Sequence, residues 1–290
     1  MTGTLDQGIV QYVDAIEELR GQDLSFRPDA KSPLPPEADE NLPHFLLLSA
    51  SIDAGVDSWH IRLLLADLST RLREQGREDG LFGLTEEDAE FVDAAIQRHQ
   101  RQRRLGGYQA RRVVPRILGD VNSYVAGPAG GDLDAWATQF GRPADAVQSL
   151  ATGIHWQGRE RSEPRKKMWM FLRWLVRPHP DLRRWEHFDP ADLLVPTDRH
   201  VANFALAAGI IESLPSLGPR CAHAEQITAW AAQHWPADPA RVDYGFYLWG
   251  RGRANQRQPT PDTCYSTLGY AKRRCPLGAT AMSCGARCAS

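Results

Sequence analysis

Three features of the sequence predict a mostly helical fold. No stretch alternates apolar and polar residues for long enough to make a sheet strand. Apolar residues recur instead every three or four positions through segment after segment, the spacing of one helix face. One segment, 165–177, is apolar nearly all round through Met168, Phe171, Leu172, Trp174, Leu175 and Val176, which describes a helix at the centre of a bundle. With 290 residues, 42% of them apolar, the chain can bury a sizeable core as one large domain or two closely packed lobes. We expect a helical body over 1–250 and an irregular tail over 251–290 that is rich in glycine, arginine and cysteine.

Over 8–19, Ile9, Val10, Val13, Ile16 and Leu19 form the apolar face of a first helix. Five prolines from Pro28 to Pro43 then stiffen an extended connector, expected to wrap the surface because no packed unit precedes it. Residues 45–72 hold one or two helices broken by a turn around Gly55. The Thr85 hydroxyl can cap the amide of Asp88, starting a helix that continues through Phe91, Val92, Ala95 and Ile96. Val113, Ile117, Val121 and Val125 space a further helix, closed by Pro-Ala-Gly-Gly at 128–131. Segments 132–140 and 145–154 read as two short helices, the first capped by Asp132. Pro178 stops the central helix. Asp198 opens the next, with Val201, Phe204, Ala205 and Ala208 on one face and Gly209 as terminator. A helix over 222–234 stops before Pro236. The Asp238-Pro239 pair starts the last one, aspartate accepting amide bonds at the cap and proline needing no donor in the first turn, and this helix runs to about Trp249.

A net charge of −2 argues against a general nucleic-acid coat and is neutral about a local site. No acidic residue occurs from 94 to 119, whereas Arg98, Arg101, Arg103, Arg104, Arg111, Arg112 and Arg116 all do. Acidic residues concentrate in the first ninety positions. Two readings stand side by side: a basic groove on an acidic body, which suits DNA, or a solvated helix end and loop. No apolar run approaches the roughly 18 residues of a membrane span. The amino-terminal MTGTLDQG lacks both the charged and the apolar part of a signal peptide. The expectation is a cytoplasmic monomer with no membrane partner.

A central helix rarely opens on a lysine pair, Lys166 and Lys167, unless that end reaches a solvent cleft, because burying an ammonium is costly. A helix of this kind, KKMWMFLRWLVR, followed by LLVPTDRHVANFA, resembles the helix-hairpin-helix (HhH-GPD) DNA glycosylase/lyase superfamily. The separation of 32 residues between Lys166 and Asp198 is similar to that of its archaeal 8-oxoguanine glycosylase branch and the bacterial relatives of that branch. Weaker echoes lie in SIDAGVDSWHIRLLL at 51–65 and DPARVDYGFYLWG at 238–250. The resemblance implies a two-lobed helical bundle whose partner is double-stranded DNA carrying a damaged or modified base. It implies base-excision repair: an N-glycosylase with lyase activity at the abasic site, excising an oxidised purine such as 8-oxoguanine. Two alternatives stay open. One is a relative acting on a modified base in nucleic-acid modification or defence; the other is a non-catalytic DNA-binding protein of the same fold.

In that frame Lys166 is the nucleophile and Asp198 the carboxylate that holds the cationic sugar and shuttles protons. Read alone, Asp198 is only a helix cap and Lys166 only a surface lysine; their joint occurrence in the matching pattern is what singles them out. An amine with the usual lysine pKa of about 10.4 is almost fully protonated at neutral pH. The helix amino terminus, the neighbouring Arg165 and Lys167, and partial burial would each favour its neutral form. Lys167 is the fallback nucleophile, since one residue of misalignment exchanges the two. His200 either lies by the site or contacts a phosphate or helix end. Trp59 either walls a pocket for an extruded base or packs in the core. Superfamily hairpins carry two closely spaced glycines before the lysine, whereas WQGRERSEPRK offers only Gly158 and a charged connection. Arg159, Arg161 and Arg165, with Arg111 and Arg112 earlier, are candidate phosphate contacts or solvated loop charges.

Cys264, Cys275, Cys284 and Cys288 are separated by ten, eight and three residues. Clustered intracellular cysteines hold zinc or an iron–sulfur cluster in many proteins. Some superfamily relatives carry a four-iron cluster in this terminal region, but their cysteine spacing differs from this one. A bound metal and a reduced tail are both open, and Cys221 stands apart as a structural cysteine.

Overall fold

The computed structural model describes residues 2–22, 34–35, 38, 41–53, 58–102, 111–154, 165–216 and 218–254. Among these residues every regular element is helical, as the spacing predicts. The α-helices are α1 (Thr2–Gln22), α2 (Leu42–Ile52), α3 (Ser58–Glu74), α4 (Ala89–Arg101), α5 (Val114–Ala126), α6 (Leu133–Ala137), α7 (Pro143–Gly153), α8 (Lys166–Val176), α9 (Arg199–Ala207), α10 (Cys221–His234) and α11 (Val242–Ala254). Most of the 28–43 connector lies outside the described residues, as does the tail beyond Ala254. None of the described helices is long and apolar enough to cross a membrane.

The chain divides into two compact units, one holding α1, Lys166 and the elements from Leu193 onward, the other α2 to α7 and Lys167–Asp192. In the first unit, Ile9 and Val13 of α1 join Val201, Phe204 and Ala205 of α9, Ile227 and Ala231 of α10, and Val242, Phe246 and Trp249 of α11 in one core. Phe204 is its centre. The Phe246 ring lies 4.0 Å from it and the Trp249 ring meets it edge-on at 5.1 Å. Polar ties fix α1 against this core: the Tyr12 hydroxyl donates to Gly245 O, and Asp14 accepts from Trp235 Nε1 while pairing with Arg241.

In the second unit α8 is buried from Met168 to Val176, as its all-round apolar pattern predicts. Trp185 joins it to α6, with Phe171 edge-on at 5.5 Å and Trp136 at 6.1 Å. Behind α8, Arg177 and Asp181 form an ion pair at 2.7 Å with both side chains essentially out of solvent.

Several boundaries differ from the sequence expectation. α1 runs well beyond 8–19 at both ends. α7 starts earlier than expected, with Pro143 in its first turn. Thr85 caps as predicted, its hydroxyl accepting from Glu87 N while the Asp88 carboxylate accepts from Thr85 N, but the segment it opens is a 3-10 turn that precedes α4. Asp238 makes no side-chain cap bond: Pro239–Arg241 forms a 3-10 turn, and α11 begins after it and continues past Trp249 to Ala254.

His44 of α2 shows how the second unit uses a buried polar side chain. Both Asn122 amide hydrogens go to carbonyls, Leu81 O and Leu84 O, so Asn122 Oδ1 faces His44 Nε2 at 2.9 Å and accepts its proton. The ring stacks on Phe82 at 4.0 Å. Burial pushes its pKa down to about 4, against the smaller opposing effect of the Asn122 bond. The unfolded ring takes up a proton near 6.5 and the folded one does not, so the unfolded state binds more protons between these values. Stability is therefore fully present above pH 6.5 and is lost as pH falls towards 4, by roughly 3 kcal/mol for a shift of this size. Urea midpoints measured from pH 7 to pH 4.5 should fall more steeply for the wild type than for His44→Gln. Parallel curves would show that the acid sensitivity comes from elsewhere.

Candidate functional site

Lys166 and Asp198, paired in the sequence by the resemblance, both lie in the first unit and come together there. Lys166 is the first residue of α8, and its Nζ lies 3.9 Å from Asp198 Oδ2. Asp198 is the N-cap of α9, its Oδ1 accepting from His200 N at 2.8 Å and Val201 N at 2.9 Å. The two oxygens have separate duties: one is clamped by the helix, the other faces the amine.

The geometry sets what the pair can do. At 3.9 Å the groups attract but do not share a hydrogen bond. The side chains are 24% and 22% exposed, so solvent screening reduces the pair's net worth to about 1 kcal/mol or less. The pair adds little to the fold. Both groups can be approached from solvent, and an amine beside an oriented carboxylate is a nucleophile beside a proton acceptor.

The chain neighbours of the pair, Arg165, Arg199 and His200, each make contacts of their own. Arg165 precedes α8 with a left-handed φ of 47°, which turns the chain immediately before Lys166. Its guanidinium is close enough to Cys221, at the start of α10, to act on the thiol. Burial and Glu225 push that thiol up more than Arg165 draws it down, so Cys221 stays protonated at neutral pH. Arg199 is exposed and donates to Ser216 O at 2.7 Å. The His200 ring turns edge-on to Tyr247 of α11 at 5.6 Å, and its Nδ1 is buried with no hydrogen-bond partner among the described residues. His200 thus serves Asp198 through its backbone amide.

Lys167 is placed differently. Its Nζ donates to Ser51 O at 2.6 Å within the second unit, so the two adjacent lysines have different surroundings. Of the other candidates, Arg112 is exposed on the second unit. Trp59 and Arg111 have described backbone but lie outside the described side chains. Arg159, Arg161, Cys264, Cys275, Cys284 and Cys288 lie outside the described residues altogether. Among the described residues there is no group of three or more histidine, cysteine or acidic side chains that could hold a metal ion.

Gly250 of α11 escaped the sequence reading. A Cβ built there would fall 2.6 Å from His200 C and 2.8 Å from its Cα, and closer still to its carbonyl oxygen. The sequence signal was weak: Gly245, Gly250 and Gly252 sit within one helix, and each costs about 1 kcal/mol relative to alanine, but nothing in the pattern tells which of them meets another backbone.

Residues 131–252 are similar to a family model described as "Protein of unknown function (DUF2400)". The matched span contains Lys166, Asp198 and Gly250. No curated protein and no solved structure matches the chain.

Proposed function

We propose that the chain is a DNA N-glycosylase of the helix-hairpin-helix type with lyase activity, acting on double-stranded DNA that carries an oxidised purine such as 8-oxoguanine. The observation that carries this reading is the 3.9 Å approach of Lys166 Nζ to Asp198 Oδ2, with the carboxylate oriented by two helix amides. In the reaction the ammonium first gives its proton to Asp198. The neutral amine then attacks the sugar C1′, and the base leaves with the bonding electron pair and takes up the proton that Asp198 received, which restores the carboxylate. The amine now bound to C1′ gives up its extra proton through Asp198 to the ring oxygen as the sugar ring opens to an iminium; loss of a C2′ proton then expels the 3′ phosphate with the C3′–O bonding pair and nicks the strand. Asp198 counters the positive charge that develops on the sugar. A stacked nucleotide shields C1′, so the substrate must be extruded from the helix. Arg165, next to the nucleophile in the chain, is suited to a flanking phosphate.

The test is reductive trapping. Wild-type protein is incubated with duplexes that each carry one lesion, 8-oxoguanine among them, and with a duplex carrying an abasic site. Borohydride delivers hydride to the iminium carbon and leaves a stable secondary amine. A covalent protein–DNA band is expected on a denaturing gel. Neither cross-linking nor base release on any duplex would sink the proposal.

A further inference from the structure

We infer that Gly250 is a positioning residue for the Asp198 carboxylate: by letting α11 touch the backbone of His200, it fixes the first turn of α9 and keeps Oδ2 beside Lys166 Nζ. The inference rests on the catalytic reading of that pair. At position 250 any Cβ would lie 2.6 Å from a backbone carbon of His200, well inside the contact distance of about 3.5 Å. Gly245 of the same helix is the contrast. A Cβ there would meet only a Tyr12 ring carbon at 3.4 Å and a Val13 methyl at 3.6 Å, which are ordinary contacts. Both glycines weaken α11, but only Gly250 admits another backbone.

The touched turn is the one that holds the carboxylate. Asp198 Oδ1 accepts from His200 N and Val201 N, so a shift of His200 rotates the carboxylate and carries Oδ2 with it. The rest of α9 resists sliding, because Phe204 is packed against Phe246 and Trp249 of α11. Strain from an added methyl at 250 therefore falls on the first turn, which begins at Asp198.

The test measures binding and cross-linking separately, in single-turnover borohydride trapping on a duplex with an abasic site. For Gly250→Ala the dissociation constant should stay within about threefold of wild type while the cross-linking rate falls about 100-fold, the usual consequence of a misplacement near 1 Å. Gly245→Ala, which makes the same change of helix propensity in the same helix, should match wild type in both. Equal cross-linking by the two variants overturns the inference, and so does a loss of binding by Gly250→Ala as large as its loss of rate. If Gly250→Ala shows no cooperative thermal unfolding, Tyr247→Leu replaces it, removing the ring that meets His200 edge-on without adding volume at the contact. Several-fold slower cross-linking at unchanged affinity is then expected, and the wild-type rate overturns the inference. A wild-type protein that never cross-links sinks the reading of the Lys166–Asp198 pair and this inference with it, whereas indifferent variants of an active protein sink the inference alone.

Discussion

Lys166→Ala is expected to abolish the borohydride cross-link to abasic-site DNA, and Lys167→Ala to leave it. The two lysines are neighbours in the chain, but at 3.6 residues per turn they leave the helix about 100° apart. Lys166 Nζ faces Asp198 Oδ2, which can accept its proton and leave the lone pair for attack. Lys167 Nζ instead donates to Ser51 O at 2.6 Å. A charged donor to a carbonyl contributes up to about 1.5–3 kcal/mol when buried, and nearer 1 kcal/mol for a partly exposed side chain such as this one. Lys167→Ala should therefore unfold at a lower temperature than wild type and still cross-link at its rate. Lys166→Ala should show the opposite pattern, with an unfolding midpoint near wild type and no cross-link. Denaturing gels and thermal melts of the two variants decide it. Cross-linking lost in Lys167→Ala and kept in Lys166→Ala would move the nucleophile by one residue, and cross-linking kept in both would place the amine elsewhere.

The helices were legible because they are written in local spacing, whereas Lys166 and Asp198 were singled out only by the resemblance that their two segments carry. The all-round apolar run from Met168 to Val176 is buried throughout, and Asp198 caps the helix whose face Val201, Phe204 and Ala205 mark out. What periodicity does not encode is which helix an apolar face meets. The first unit joins α1 to α9, α10 and α11, and its tie from Asp14 to Trp235 spans most of the chain. Nothing in the amphipathic pattern of 8–19 names that partner. Caps depend on the backbone as well as the residue: Asp132, extended at φ −130° and ψ 106°, bonds the amides of Asp134 and Ala135, whereas Asp238, at φ −159° and ψ 67°, makes no side-chain cap bond. The left-handed turn at Arg165 carries no sequence signature either, since glycine or asparagine would be the usual residue there. The contrast between Lys166 and Lys167 is of the same kind: the resemblance ranks Lys166 first with Lys167 as fallback, and long-range packing gives the two amines different partners.

Asp198→Asn is expected to slow cross-linking by about 10²- to 10⁴-fold while leaving the fold intact, a barrier increase of roughly 3–5 kcal/mol. Asparagine is the informative substitution because the carboxylate has two duties. As an N-cap, asparagine is about as good as aspartate, and its carbonyl oxygen can take over the bonds from His200 N and Val201 N, so stability should change by less than about 0.5 kcal/mol. What it cannot do is accept the proton of Lys166 or counter a cationic sugar. Alanine would remove both duties, adding about 1 kcal/mol of lost capping and confounding slow chemistry with a frayed α9. The two substitutions together therefore separate the roles: an intact thermal midpoint with slow cross-linking in the asparagine variant assigns the carboxylate to chemistry. Wild-type cross-linking in the asparagine variant, with instability appearing only in Asp198→Ala, would reduce Asp198 to a helix cap. The closeness of Lys166 to it would then be a surface ion pair of little consequence.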